Sequence, residues 1–294
     1  MLPAQNAEDC PGSPDPRGPM MSAPNAEDRP VPGDALSGSA DGRSAPTESV
    51  LVAFGATEPV RRLAGGKDGT WRSGGIVLKP AEGVAETIWR CGVLDTLPES
   101  PEFRIARPVR ARDGGWLADG WEAAWFVAGD ADPRRVDDVI NAGAAFHRAI
   151  AALPRPSFLD TRTDPWAYGD RLAWGPSRTE SGGLAQLLAA RRPVDLPAQL
   201  VHGDLLGNVL FAAGQPPAII DWPAYWRPPA WAAAVAVVDA LCWHGVHPSA
   251  VDRWSHLSDW RQLLIRALVF RIAADRTAEP HEAYLPVVDL VLGL

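Results

Sequence analysis

Large apolar side chains are almost absent from the first 48 residues and then arrive in regular patterns. Thr47, Glu48 and Ser49 precede a short apolar stretch that Gly55 ends, so the sequence predicts a capped helix over 47–54. Three strand-like pieces come next. Residues 59–63 enter a glycine cluster of Gly65, Gly66 and Gly69, residues 70–72 leave it, and 75–79 follow the Ser73-Gly74 turn. Together they read as an antiparallel meander. The period then lengthens: Val84, Ile88, Cys91 and Leu94 recur at helical spacing, so a helix over 81–97 follows the third strand. Strands are predicted again at 105–110 and at 116–127, the latter kinked by Gly120. Residues 129–133 break the pattern, and the chain turns helical over 136–153 and 184–191. The apolar run from Pro229 to Trp243 predicts a buried helix. A β-rich part followed by an α-rich part is an α+β protein of two lobes rather than a repeating βαβ fold.

Composition adds boundaries to this outline. The chain has 294 residues, 46% of them hydrophobic, enough to bury the core of one two-lobed domain. Residues 1–48 are dominated by Pro, Gly, Ala, Ser and Asp and are expected to form a disordered acidic tail. The sheet lobe is expected over 49–128 and the helical lobe over 129–294. Eight acidic against three basic residues give the tail about −5 of the formal −8, leaving the body near neutral. With no basic stripe, nucleic-acid binding is not expected. The longest apolar run is too short to span a bilayer and contains Asp239, so no membrane partner is expected either. Cys10, Cys91 and Cys242 are widely spaced, which disfavours a zinc site or a disulfide framework. The N-terminus lacks the pattern of a secretory signal, and a cytoplasmic location is expected.

The chemistry concentrates in Leu200-Val201-His202-Gly203-Asp204-Leu205-Leu206-Gly207-Asn208-Val209-Leu210-Phe211 and in Ala218-Ile219-Ile220-Asp221-Trp222. Residues 209–211 and 218–220 are short apolar strands joined by a turn-rich connection, which reads as a hairpin. Antiparallel pairing sets Asn208, just before the first strand, beside Asp221, just after the second. Amide and carboxylate oxygens so placed suit Mg²⁺, which keeps its other positions for water or phosphate. Asp204, in the loop upstream, is the candidate base for a hydroxyl proton.

This HGD…N…IDW pattern resembles the aminoglycoside phosphotransferase and choline-kinase-like families of the protein-kinase-like fold, over roughly residues 50 to 270, and looks close to an uncharacterised actinobacterial-type branch. The resemblance implies Asp204 as catalytic base, Asn208 and Asp221 as ligands of Mg²⁺, and His202 as the loop histidine of the catalytic segment. It implies ATP, or GTP, as co-substrate and a small-molecule hydroxyl as acceptor. The family spaces its aspartate and asparagine five apart, whereas Asp204 and Asn208 are four apart. Either Gly207 bends the backbone to restore the metal geometry, or Asn208 fails to reach the ion and the protein is a nucleotide-binding pseudokinase or scaffold.

A kinase also needs a lysine on its third strand to neutralise phosphates. Lys79 stands there, and Lys67 is the only other lysine in the chain. On the following helix Glu86 is the candidate to orient Lys79, with Glu82 as runner-up. Gly65, Gly66 and Gly69 would let backbone amides approach the phosphates, and residues 125–127 would form the hinge beside the base. No Ser or Thr lies between Asp221 and Ser249, so a phosphorylated activation segment has no place and a small-molecule acceptor is favoured. The aromatic residues after Asp221 either wall a pocket or pack the helical lobe. A metal-dependent hydrolase using His202, Asp204 and Asp221 is a further alternative, one that leaves Lys79 without a role.

Overall fold

In the computed structural model the described residues are 44–63, 69–176, 183–276 and 280–294. Most of the expected tail, and the glycines Gly65 and Gly66, lie outside them. The first helix, α1 (Glu48–Phe54), ends where Gly55 adopts the left-handed conformation and its N–H bonds back to Leu51 and Val52. The Thr47 hydroxyl pairs with Ser49 Oγ at 2.8 Å rather than capping the helix backbone. Strands β1 (Val60–Arg62), β2 (Trp71–Ser73) and β3 (Ile76–Pro80) form the expected meander. The helix α2 (Val84–Thr96) follows, and β4 (Arg104–Ile105) leads towards β5 (Trp121–Trp125), which pairs antiparallel with β3 to complete the sheet order β1-β2-β3-β5.

Two strand predictions shrink here. Of the first, 105–110, only Ile105 lies in a strand, together with the preceding Arg104, and that strand joins a different sheet. The second is shorter because Asp119 and Gly120 both take positive φ, 49° and 78°, and reverse the chain so that Ala118 bridges to Trp121. Paired residues of this kind form a tight hairpin turn, not a kink within one strand.

The sheet lobe has its own small core: Val50 and Phe54 of α1 pack on Ile76 and Leu78 of β3 and Ala123 of β5. Fully burying a side chain such as Leu78 contributes roughly 2 kcal/mol, so α1 stabilises the open face of a sheet that is too thin to stand alone.

Beyond β6 (Asp130–Ala131) come the helices α3 (Val136–Ile150), α4 (Pro165–Trp174) and α5 (Gly183–Ala190). Then β7 (Gln199–His202), β8 (Val209–Phe211), β9 (Ala218–Ile219) and β10 (Ala224–Arg227) carry the motif region. The chain ends in α6 (Pro229–Trp243), α7 (Ala250–Arg253), α8 (Trp260–Asp275) and α9 (Leu285–Gly293). The strands make a four-stranded sheet β4-β9-β8-β6 and a two-stranded sheet of β10 with β7. The β10 strand was not foreseen, because Pro223 and Pro228 bracket it and read as breakers. The largest core surrounds α6 and α8, both buried on nearly every side. Trp222, Tyr225 and Trp231 belong to it: Tyr225 and Trp231 meet Phe270 edge-on, with centroids 5.4 and 5.2 Å away. Trp222, Tyr225 and Trp231 therefore pack the helical lobe, while Tyr225 and Trp226 also line a cavity with Arg155, Arg162 and Asp170. This is the two-lobed α+β architecture of the protein-kinase-like fold. Among the described residues no helix is long and apolar enough to cross a membrane.

Candidate active site

The β8–β9 hairpin determines the register of the site. Val209 pairs with Ile219 and Leu210 with Ala218, and the Ile220 N–H donates to the Asn208 carbonyl at 3.0 Å. Asn208 thus stands opposite Ile220, one residue from Asp221. The short loop from Asp204 closes because Gly207 adopts φ +89°, a left-handed value that a side chain would strain. The Asn208 N–H then reaches the Leu205 carbonyl at 3.0 Å, and its Nδ2 donates to the Asp204 carbonyl at 2.7 Å and to Asp204 Oδ2 at 3.2 Å. With Nδ2 so committed, Oδ1 is the face of the amide left to accept or to ligate. Leu205 and Leu206 are buried in the helical core and anchor the loop from beneath.

His202 is fully buried, and both its ring nitrogens serve the loop. Nδ1 accepts from the Asp204 N–H at 3.1 Å, so the ring proton sits on Nε2, 2.9 Å from the Ile220 carbonyl. Burial depresses its pKa, which keeps it neutral in this role. A second histidine lies behind it. His147 of α3 accepts the His202 N–H at Nε2, 2.9 Å away, and burial pushes its pKa down to about 3. The two imidazoles tie the catalytic-type loop to β9 and to α3. Gly203, between His202 and Asp204, is required for a different reason, since an added Cβ would lie 2.3 Å from the Tyr225 ring.

Asp204 faces the other way, its side chain 33% exposed. Arg271 of α8 donates to its Oδ1 at 2.5 Å and grips Asp239 of α6 with Nε, at 2.8 Å, and with the same Nη2. Arg271 and Asp239 are buried. Asp239, on the buried helix α6, is the residue that neutralises Arg271.

From the opposite lobe, Lys79 on β3 reaches across to form an ion pair with Asp221. Asp221 sits at φ +46°, just past β9. Its carboxyl is held below the usual range by the Lys79 ammonium. Burial alone would depress Lys79, but Asp221 and Glu122 outweigh it and leave its pKa raised. Among the described residues the carboxylates within ion-pair reach of Lys79 are Asp221 and Glu122, the latter 3.7 Å away. Glu86 is elsewhere: its carboxylate lies 3.7 Å from Arg162 of the helical lobe. Arg90, one helical turn after Glu86, holds Glu122 through one nitrogen at 2.6 and 2.7 Å. Gly69 precedes β2 at φ +123°, and Leu63 bonds to Thr70 across that bend.

Three acidic residues of the helical lobe are held by arginines. Arg155 holds Asp160 in two hydrogen bonds, Arg162 holds Asp164, and Arg227 holds Asp170. Among the described residues no group of three or more His, Cys, Asp or Glu side chains could cage a metal ion. The pair of oxygen donors at Asn208 and Asp221 nonetheless fits Mg²⁺, which is held by one or two protein oxygens together with substrate phosphates.

A profile of the phosphotransferase enzyme family matches residues 106–263, just over half of the chain. The chain belongs to that family. Its matched segment runs from just after β4, through the His202–Asp221 region, into α8. An aminoglycoside phosphotransferase from Alicyclobacillus acidocaldarius subsp. acidocaldarius DSM 446 superposes with a TM-score of 0.50 at 16% identity, over 85% of this chain and 92% of that one. A thermostable mutant of the aminoglycoside phosphotransferase APH(4)-Ia is 18% identical, with a TM-score of 0.48, over 77% of this chain and 91% of that one. Spectinomycin phosphotransferase APH(9)-Ia, in complex with ADP and spectinomycin, is 14% identical, with a TM-score of 0.48, over 76% and 83%. At 16% identity the first of these likenesses speaks for the fold alone. No curated protein sequence matches.

Four residues of the site escaped the sequence reading: Glu122, Arg90, Arg271 and His147. Arg271 left one signal, an arginine that like Arg266 sits within the otherwise apolar run of α8, since a buried guanidinium needs a partner.

Proposed function

We propose that this phosphotransferase-family chain moves the γ-phosphoryl group of ATP, or GTP, to a hydroxyl of a small molecule. The observation that carries the reading is the meeting of Lys79 from the sheet lobe with Asp221 from the helical lobe. Asn208 stands just before the neighbouring strand β8, and Asp204 is bonded to it. An amine and three oxygen-bearing side chains gathered in one cleft suit a triphosphate.

In this reading Lys79 leaves Asp221 to donate to phosphate oxygens. Asp204, its carboxylate oriented by Arg271 and Asn208, accepts the proton of the acceptor hydroxyl. The hydroxyl oxygen bonds to the γ-phosphorus as the bond to the β–γ bridging oxygen breaks, and the nucleoside diphosphate leaves with that electron pair. Mg²⁺, held by Asn208 Oδ1 and Asp221, would supply charge neutralisation to the phosphates. His202 and His147 keep the loop in shape, and the backbone at Gly69 would approach the phosphates.

The test is turnover of labelled ATP with Mg²⁺ against a panel of hydroxylated metabolites, using the chain and its Asp204→Asn variant. Loss of transfer by about 10²–10⁴-fold in the variant is expected. Equal turnover in the variant refutes the role of Asp204. Nucleotide binding indifferent to Mg²⁺, with no turnover of any acceptor, favours the pseudokinase alternative that the four-residue spacing of Asp204 and Asn208 raises.

A further inference from the structure

We infer that Glu122 of β5, clamped by Arg90 of α2, is the residue that positions Lys79 for the nucleotide, so that the orienting carboxylate comes from a strand and not from the helix. The inference rests on the reading of Lys79 as the phosphate-binding amine.

Register supplies the first argument. Lys79 and Glu122 are directly opposite each other in the antiparallel β3–β5 pair. Residues paired in this way project from the same face of a sheet with their Cβ atoms close together, so their contact is built into the strand pairing. It does not depend on how the helix is docked.

The second argument is the rigidity of Glu122. Its side chain is 9% exposed and that of Arg90 13%. Arg90 Nη2 bonds both carboxylate oxygens, at 2.6 and 2.7 Å, and the Cys91 thiol lies 3.8 Å from Oε2. The carboxylate plane is therefore fixed. Oε1, the oxygen nearer Arg90, is also the one 3.7 Å from the Lys79 ammonium. A charge-assisted contact to a preoriented group restricts the long lysine chain more than one to a mobile partner does.

The third argument is the charge balance. Two cations, Lys79 and Arg90, face two carboxylates, Glu122 and Asp221. When Lys79 gives up Asp221 for a phosphate, Glu122 is the carboxylate that still holds it. On α2, Arg90 occupies the place beside this sheet pair, and Glu86 lies against Arg162 in the other lobe.

The experiment is calorimetric titration of ATP, with and without Mg²⁺, into the full chain, Glu122→Gln, Lys79→Ala and the double variant. Melting curves establish that each is folded, and Arg90→Gln/Glu122→Gln serves if Glu122→Gln alone leaves Arg90 unpaired and unfolds. Weakening of ATP binding by about tenfold in Glu122→Gln is expected, a factor in the range that coupled charge pairs show. The same substitution should have no further effect once Lys79 is alanine, because a positioning residue acts through the group it positions. Unchanged affinity in Glu122→Gln overturns the inference. So does an equal loss in the Lys79→Ala background, which marks a purely structural role, or coupling to Lys79 that appears for Glu86→Gln instead. If the unaltered chain binds no ATP, the phosphotransferase reading itself fails, and the inference with it.

Discussion

Replacing Arg271 with methionine probes the junction between core and active site. Arg271 is 2% exposed, and its guanidinium makes two hydrogen bonds to Asp239, which is fully buried, besides its bond to Asp204. Methionine fills much of the same space between the Trp166 and Phe270 rings, which lie 5.3 and 5.2 Å from the guanidinium carbon. It leaves the Asp239 carboxylate in apolar surroundings with no arginine. Removing one partner of a buried pair costs about 3–5 kcal/mol. For a folded body of this size each kcal/mol lowers the melting temperature by roughly 2–4 °C, so Arg271→Met should melt on the order of 6–20 °C lower. The double variant Arg271→Met/Asp239→Leu removes both charges and should recover most of that loss, since a buried ion pair and a packed apolar pair are often close in free energy. Asp204→Asn behaves differently. Its side chain is a third exposed, so its melting should move by about 1 kcal/mol or less, while turnover disappears. The assay is a set of denaturant melts on the four proteins with ATP turnover alongside. A cost below about 1 kcal/mol for Arg271→Met, or a double variant no more stable than the single one, refutes the assignment of Arg271 and Asp239 as a buried pair under the site.

Two further expectations concern backbone and pH. Gly207→Ala places a Cβ at φ +89° and should cost roughly 1–2 kcal/mol and weaken Mg²⁺-dependent ATP binding, because the short loop relies on that conformation; wild-type melting and binding would show that the loop needs no glycine. Burial raises the Asp275 carboxyl to about 6, so the folded state holds its proton more tightly than the unfolded chain, and this group's contribution to stability falls as pH rises from about 4 to 6. Asp275→Asn should therefore melt higher than the parent above pH 6 and converge with it below pH 4; an identical pH profile in melting scans contradicts this.

The parts of the account that were legible in the sequence are those set by short stretches of chain. Asp204, Asn208 and Asp221 fall around one hairpin whose register follows from two apolar strands and the turn between them. Lys79 ends the third strand of a meander punctuated by glycines, so its place on the sheet followed from local alternation. The buried helix α6 was visible as a continuous apolar run. What escaped reading depends on contacts between distant segments. Glu122 meets Lys79 only because β5 docks on β3 after a helix and a long connection have intervened. A helix-borne glutamate, Glu86, was the expected neighbour, but α2 presents Arg90 to the sheet pair and Glu86 to Arg162. Helix α8 is buried on all sides and carries Arg266 and Arg271 inward, so it lacks the polar stripe by which helices announce themselves. The turn at Asp119 and Gly120 was available as a two-residue hairpin signal, and the aromatic residues flanking it masked it as a longer strand.

The central claim is that Lys79 and Asp221 converge to bind a nucleotide together with Mg²⁺. Thermal melting of the chain with ATP, with Mg²⁺ and with both, repeated on Asp221→Ala, tests it most directly, because any ligand that binds the folded state raises the melting temperature according to its concentration and affinity. The account predicts stabilisation by ATP that increases when Mg²⁺ is present, and loss of the Mg²⁺-dependent increment in the variant. Absence of any shift with ATP, or a Mg²⁺-dependent increment that survives in Asp221→Ala, would contradict it.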